Sequence, residues 1–356
     1  VPQLTKAAAA PFQGISQAEA CRDNDLVLDA MIKSFDEFGG WDALYMDIPD
    51  SEMMQILFWQ QPLAWKVPGR DLPDDYTMQV LEEEVLTIEE YDRIAQEGWK
   101  KFYYDYYVYK ITRMETQKDL RREWEKIEKL SEKAAVEWEK RGVKNLCGSI
   151  DFHPFFKLSL MRSMVKFTED LYYRGEIVEK ALKRMTDDMI RPLIDTCKET
   201  GIYVAAFVEE RASAFYYPLH VFERFWWKYT EQIVDALFSE GIVLVMHLDT
   251  NWGKNIPYFK KLPKGSVVLE LDSMTDIFEA KKVLEGHQAF HGDVSPALQS
   301  MGTPEDIRDY CTRLIDEVGY DGGLVLGVGC EVAPDCKKEN FKAMIETTKT
   351  YEFSKK

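Results

Sequence analysis

The chain has 356 residues, 46% hydrophobic and 30% charged, the composition of a folded globular protein rather than a disordered one. Its net charge of −17 repels phosphate backbones and anionic lipid surfaces, which excludes nucleic acid and membranes as expected partners. Six cysteines are too few for a disulfide framework at this length, no secretory signal follows the early alanines, and no run approaches the ~18 apolar residues of a membrane span, so the sequence predicts a cytoplasmic protein.

In chain order, residues 1–40 read as a helical cap, with a helix from about Ser16 to Phe38. Asp42–Ile48 (DALYMDI) reads as a short buried strand carrying Asp47 near its end. Pro49–Asp75, rich in Pro, Trp and Asp, reads as a long functional loop. The interleaved charges from about Thr116 to Arg141 predict a peripheral, solvated helix.

From Gly142 onward, short apolar runs alternate with segments of helical period. The runs are Leu146–Phe152, Ile202–Val208, Ile242–His247, Val267–Leu271, Gln288–His291 and Leu324–Gly329. The helices are expected at about Ile177–Thr200, Pro218–Glu240, Ile277–Leu284, Pro304–Val318 and Glu339–Tyr351. This alternation implies parallel strands with right-handed crossovers. With Asp42–Ile48 it supplies seven strands of a (β/α)8 TIM barrel, the eighth being left to the poorly patterned loops. The whole chain, 1–356, is expected to form one such barrel domain with its N-terminal helical decoration. No Gly-rich phosphate turn marks the rival, a doubly wound open sheet.

Barrel chemistry belongs at the C-terminal ends of the strands. Those ends carry Asp47, Asp151 with His153, Glu209 with Glu210, His247 with Asp249, Asp272, His291 with Asp293, and Cys330. A single strand-end acid is commonly a helix cap, but the repetition is harder to assign to capping. Imidazole, carboxylate and thiolate all ligate zinc, so His247, Asp249 and Cys330 form a candidate three-ligand site with an open position. His-x-Asp spacing is equally compatible with a buried histidine bonded to a neighbouring acid, beside a buried cysteine acting as a small hydrophobe. Among the aromatics, Trp226, Trp227 and the run Phe102–Tyr109 read as packing. Trp59, Trp65 and Trp252 lie in the early loop or just beyond a strand end. With His153 they are the expected walls of a substrate pocket.

These segments resemble the uroporphyrinogen decarboxylase superfamily, which also contains zinc- and corrinoid-dependent methyltransferases. HGDVSPALQSMGTPEDIRDYC, from His291, is similar to that superfamily's Gly-[Asn/Asp]-x-x-Pro segment and the Gly-Thr-Pro-Glu helix start after it. GGLVLGVGCEVAPDCKKENFKAMIETTKTY resembles its last strand, turn and helix. FVEERAS and VMHLDTN stand where the family has its acidic strand end and its His-x-Cys segment, and YMDIP resembles its early strand. The resemblance runs from about Val27, with specific motifs in the second half.

Within the superfamily the resemblance favours the methyltransferase branch. The decarboxylases have an arginine-rich loop ahead of the first strand, whereas here only Arg22 precedes Asp47. The string GRDLPDD at 69–75 is like that loop but comes after the first strand. The decarboxylases also carry histidine where this chain has Cys330. The methyltransferase pattern has a cysteine two residues after the histidine, a place taken here by Asp249.

The resemblance therefore implies a methyltransferase that moves a methyl group between a small donor, such as an aromatic methyl ether in O-demethylation, and a corrinoid (cobalamin) carried by a partner protein. It implies zinc on His247 and Cys330, with Glu209 or Asp249 as the carboxylate ligand. Asp47, Glu210 and Asp272 are then the candidates for orienting substrate or moving a proton. The corrinoid-bearing Asp-x-His-x-x-Gly signature is absent from Asp151–Phe156, so the corrinoid is expected on a separate protein. Four alternatives stay open: uroporphyrinogen decarboxylation, methyl transfer from corrinoid to tetrahydrofolate or a thiol, a metal-free binding module, and a closed structural zinc site. A homodimer is compatible with the sequence.

Overall fold

The structure is a computed structural model that describes residues 1–352. Among these residues there are ten strands: β1 (Ala43–Leu44), β2 (Ala64–Lys66), β3 (Gln79–Leu81), β4 (Lys144–Asn145), β5 (Ser149–Phe152), β6 (Val204–Glu209), β7 (Val243–Leu248), β8 (Val267–Leu271), β9 (Ala289–Val294) and β10 (Leu324–Val328). β5 to β10 form one parallel sheet in chain order. β4 runs straight into β5 and pairs in parallel with β1, so these two short pieces carry the sheet round to the early strand.

Between β10 and β1 lies the extended N-terminal segment rather than any loop strand. The Val1 nitrogen donates to the Leu326 carbonyl and the Val332 amide donates to the Gln3 carbonyl. Pro2 and Leu4 reach the other neighbour, sharing a small apolar gap with Leu44 and Tyr45. These residues take the eighth stave's place and close a TIM-type (β/α)8 barrel with N-terminal helical decoration. A segment reading Val-Pro-Gln-Leu has no strand alternation, which is why the sequence pattern does not announce it.

Two other segments differ from expectation. The early helix is two helices, Gln17–Arg22 and Asn24–Glu37, because Asp23 leaves helical geometry and caps the second through the Leu26 amide. The Pro49–Asp75 loop contains a wide π-helical turn, Met54–Phe58, and the first strand of a hairpin in which Trp65 of β2 pairs with Val80 of β3.

The helix Gln117–Glu139 is peripheral as expected. It buries one stripe, Leu120, Ile127, Leu130, Ala134 and Trp138, at spacings of one helix face. Alternation along the strands sorts the barrel's two faces. Leu244, Met246 and Leu248 of β7 pack outward with the helices in the main core. Val245 packs inward with Ala206 and Cys147, and period two puts His247 on that same inward face.

Candidate metal centre and substrate cavity

Register builds the site. His247 of β7 stands opposite Glu270 of β8, and Glu270 opposite His291 of β9. Glu270 Oε1 lies 3.2 Å from His247 Nδ1 and 3.6 Å from His291 Nδ1, and the Tyr45 hydroxyl donates to Glu270 Oε2 at 2.7 Å. Burial of Glu270 works against its charge, yet the two imidazoles hold its carboxyl well below the usual range. The same partnership acts on His247. Burial opposes protonation, but Glu270 and Asp249 raise its pKa well above the ordinary value. The carboxylate lies against the Nδ1 side of the imidazole as an ion-pair neighbour, while Nε2 faces Asp249 and Cys330, the side on which a metal would be ligated.

At that mouth His247 Nε2 lies 3.2 Å from Asp249 Oδ1 and 3.6 Å from Cys330 Sγ, and Cys330 Sγ lies 3.9 Å from Asp249 Oδ2. Tetrahedral zinc, with bonds of about 2.1 Å to N and O and about 2.3 Å to S, sets such edges at roughly 3.4–3.6 Å. Asp249 Oδ1 is buried and forms no hydrogen bond among the described residues, its polar contact being the 3.2 Å ion-pair approach of His247 Nε2. Burial, reinforced by Asp249, pushes the Cys330 thiol up to about 12, so it ionises at neutral pH only if a cation arrives. On geometry, a buried oxygen without a hydrogen bond and donor chemistry, these three residues fit a metal ion.

Strand parity decides which other expected residues reach the site. On β6 Ala206 and Val208 face inward and Phe207 outward. Glu210 follows the inward set and lines the cavity. Glu209 follows Phe207 outward, where its carboxyl accepts from the Arg211 amide and the Trp226 indole. The reading of Glu209 as a metal ligand is therefore corrected: it lies outside the triangle and its oxygens are engaged elsewhere. Burial raises its pKa to about 8. His153 is outward too, with Nδ1 3.4 Å from Glu209 Oε2 and Nε2 at Thr230, and it does not touch the cavity.

Trp252 is likewise displaced from its expected place in the wall. It is fully buried against Trp226, with ring centroids 5.1 Å apart, and its indole donates to the Asp249 carbonyl at 2.7 Å. It braces a candidate ligand instead of contacting substrate. Asp47 accepts from the Asn145 amide at the rim, away from the cavity. Asp272 also turns its oxygens to backbone, accepting from the Thr250 and Met274 amides, and so shapes the turn that carries Asp249.

Trp59 and Trp65 both lie on a cavity lining. They wall a cavity of about 250 Å³ that opens onto His247, Cys330 and Glu210. Its apolar end is a cluster of Trp59, Leu63, Phe152, Phe156 and Leu160. Its polar end adds Tyr45 and Glu331, which the sequence reading missed. Burial raises both Glu210 and Glu331 to about 7, with Asp249 adding to the effect on the first and Asp50 on the second. Glu270 was missed as well, although an acid inside the apolar run Val-Val-Leu-Glu-Leu is a readable signal of an inward-facing charge.

Among the described residues no helix is long and apolar enough to cross a membrane. Residues 151–351 match the family Uroporphyrinogen decarboxylase (URO-D). The chain is 26% identical over 179 residues to methylcobamide:CoM methyltransferase MtbA of Methanosarcina mazei, covering 47% of this chain and 51% of the relative. It is 34% identical over 90 residues to a uroporphyrinogen decarboxylase of Methylococcus capsulatus, covering 25% of each. The chain thus spans about half the length of the first of these curated relatives, and less of the second. A solved methyltransferase from Methanosarcina mazei superposes with a TM-score of 0.65 at 16% identity, over 98% of this chain and 93% of that one, which shows the shared fold. With the match extending over more than half of its residues, the chain belongs to the uroporphyrinogen decarboxylase family.

Proposed function

We propose that this protein is a corrinoid-dependent methyltransferase that takes a methyl group from an aromatic methyl ether and passes it to a corrinoid carried by a partner protein. The observation that carries the reading is the His247–Asp249–Cys330 triangle opening directly onto an aromatic-walled cavity. The relatives named for methyl transfer between a cobamide and coenzyme M support the reaction class.

His247, Asp249 and Cys330 would hold zinc, which when bound supplies Lewis acidity to a donor oxygen. Asp249 supports an ether donor because it is a harder ligand than the cysteine of the usual pattern. The remaining work falls to this chain's own groups. Trp59 and Phe152 hold the ring and keep water from the site. Glu210, a buried acid poised near neutrality, hands a proton to the departing phenolic oxygen. Asp272 and Trp252 hold the Asp249 turn, and Glu270 holds His247. The partner docks over the barrel mouth so that methyl carbon and cobalt can align.

Decarboxylation of a substrate with many carboxylates is disfavoured by the cavity, whose lining includes Glu210 and Glu331 against a single Arg or Lys side chain among the described residues. The test is incubation with cob(I)alamin, or a reduced corrinoid protein, and 2-methoxyphenol. Methylcobalamin should appear in the visible spectrum only when protein, donor and zinc are all present. Demethylation without any cobalamin, or metal-free turnover of uroporphyrinogen, would overturn the reading.

A further inference from the structure

Among the described residues Arg211 is the one Arg or Lys side chain on the cavity lining, and it lies at the apolar end, with its guanidinium 5.9 Å from the Phe156 ring centroid. It is not free to meet a ligand. Both terminal nitrogens donate to Glu82, at 3.0 and 3.2 Å, and one also reaches the Ser159 carbonyl. Glu82 is pinned in turn by the Met164 amide at 2.7 Å, beside the β2–β3 hairpin that roofs the cavity. The pair is therefore neutral and geometrically matched, its clustered neighbours Trp59, Leu63, Phe152 and Leu160 are hydrocarbon and aromatic, and Gln55 and Gln61 add only uncharged polar groups to the lining.

A ring that puts its ether oxygen at the His247–Cys330 end must lay its far edge against this wall. A carboxylate on that edge would leave bulk water for a guanidinium whose charge Glu82 already balances, with no second Arg or Lys on the lining among the described residues. Burying an unpaired charge is far more costly than burying a hydroxyl. The cavity volume, about 250 Å³, falls below the range of roughly 300–1,000 Å³ that holds drug-sized ligands, so one ring is the natural occupant. We infer that the cavity selects single-ring, uncharged aromatic ethers and rejects ring carboxylates, because Glu82 already neutralises Arg211. This inference rests on the methyl-ether reading above and names the donor class within it.

The experiment compares binding of 2-methoxyphenol, methoxybenzene and 4-methoxybenzoate to the full chain by isothermal titration and by quenching of tryptophan fluorescence. The two neutral rings should bind at least about tenfold more tightly than the carboxylate, a gap of about 1.4 kcal/mol. Glu82→Gln, which leaves the guanidinium unneutralised, should narrow the ratio between phenol and carboxylate by about tenfold. Arg211→Gln should leave 4-methoxybenzoate rejected. Equal or tighter binding of 4-methoxybenzoate that is lost in Arg211→Gln would overturn the inference and make Arg211 the carboxylate's partner. Failure of all three rings to bind would overturn it too. Selective binding of neutral rings without methyl transfer to cob(I)alamin would uphold the inference about the cavity while sinking the proposed reaction.

Discussion

Cys330 Sγ lies 3.6 Å from His247 Nε2, although 83 residues separate them in the chain. The contact depends on two strand ends, β7 and β10, brought to one barrel mouth. Neither residue is part of the packing that forms the barrel, whose main core is built from the outward faces and the helices. His247→Ala and Cys330→Ser should therefore each lose zinc while the barrel stays folded. The check is metal content by elemental analysis beside far-ultraviolet circular dichroism. Retention of stoichiometric zinc by Cys330→Ser would remove the thiol from the ligand set.

Glu270 should matter to the metal without belonging to the triangle. It contacts the Nδ1 side of His247 and is held by Tyr45. Glu270→Gln keeps the shape but loses the charge that orients the imidazole, and a change of this kind typically weakens metal affinity by about 10–100-fold. Competition with a chromophoric chelator measures that loss. Unchanged zinc affinity in Glu270→Gln would show that the register between β7 and β8 alone positions the imidazole.

Glu209 provides a pH test with a definite sign. Its carboxyl ionises near 4.5 when the chain is unfolded and near 8 in the folded protein, because it is buried beside Phe207 and Trp226. Between these values the native state binds the extra proton, so this group's contribution to stability falls as pH rises from about 4.5 to 8 and is constant outside that window. Glu209→Gln removes the titration and keeps one acceptor oxygen, so it retains only one of the two hydrogen bonds that the carboxyl accepts from the Arg211 amide and the Trp226 indole. Urea unfolding at pH 5 and pH 8 should show a smaller loss of stability in the variant, the difference being on the order of 3 kcal/mol. Zinc content should stay that of the parent, because Glu209 faces away from the triangle.

The contrast between Glu209 and Glu210 also shows what could be read from sequence. All seven recognised strands were legible because short apolar runs punctuated by amphipathic helices leave few arrangements. His247, Asp249 and Cys330 were legible because polar residues at apolar strand ends are conspicuous. Which of two consecutive glutamates enters the barrel depends on strand parity, and that follows from which neighbours meet helices and which meet other strands. Phe207 between Ala206 and Val208 hints at the answer, since a small barrel interior favours the small residues. His153 and Trp252 were misplaced for the same reason: strand ends mark the mouth, but not which side of the wall a side chain takes. The eighth stave was illegible because its residues hold their place through a few backbone hydrogen bonds and neighbouring side chains, without any pattern of their own.

Asp249 is where the chain departs from the cysteine of the methyltransferase pattern, and restoring that cysteine gives the sharpest test. The Asp249 backbone is held by the Trp252 indole, and its turn by Asp272 through the Thr250 amide, so a new side chain starts from the same place. In Asp249→Cys a thiolate replaces a carboxylate. It is the softer ligand and should raise zinc affinity by roughly tenfold or more, measured by chelator competition. A thiolate also passes more charge to the metal and weakens its Lewis acidity. Methyl transfer from 2-methoxyphenol should accordingly slow by about tenfold at saturating donor, while the binding constant for the donor changes little. Tighter zinc with equal or faster transfer would mean that the metal does not polarise the donor oxygen, and the proton from Glu210 would then carry the activation. Weaker zinc in Asp249→Cys would indicate that the cysteine side chain, one bond shorter than aspartate, cannot reach the ion from a backbone held by the Trp252 indole.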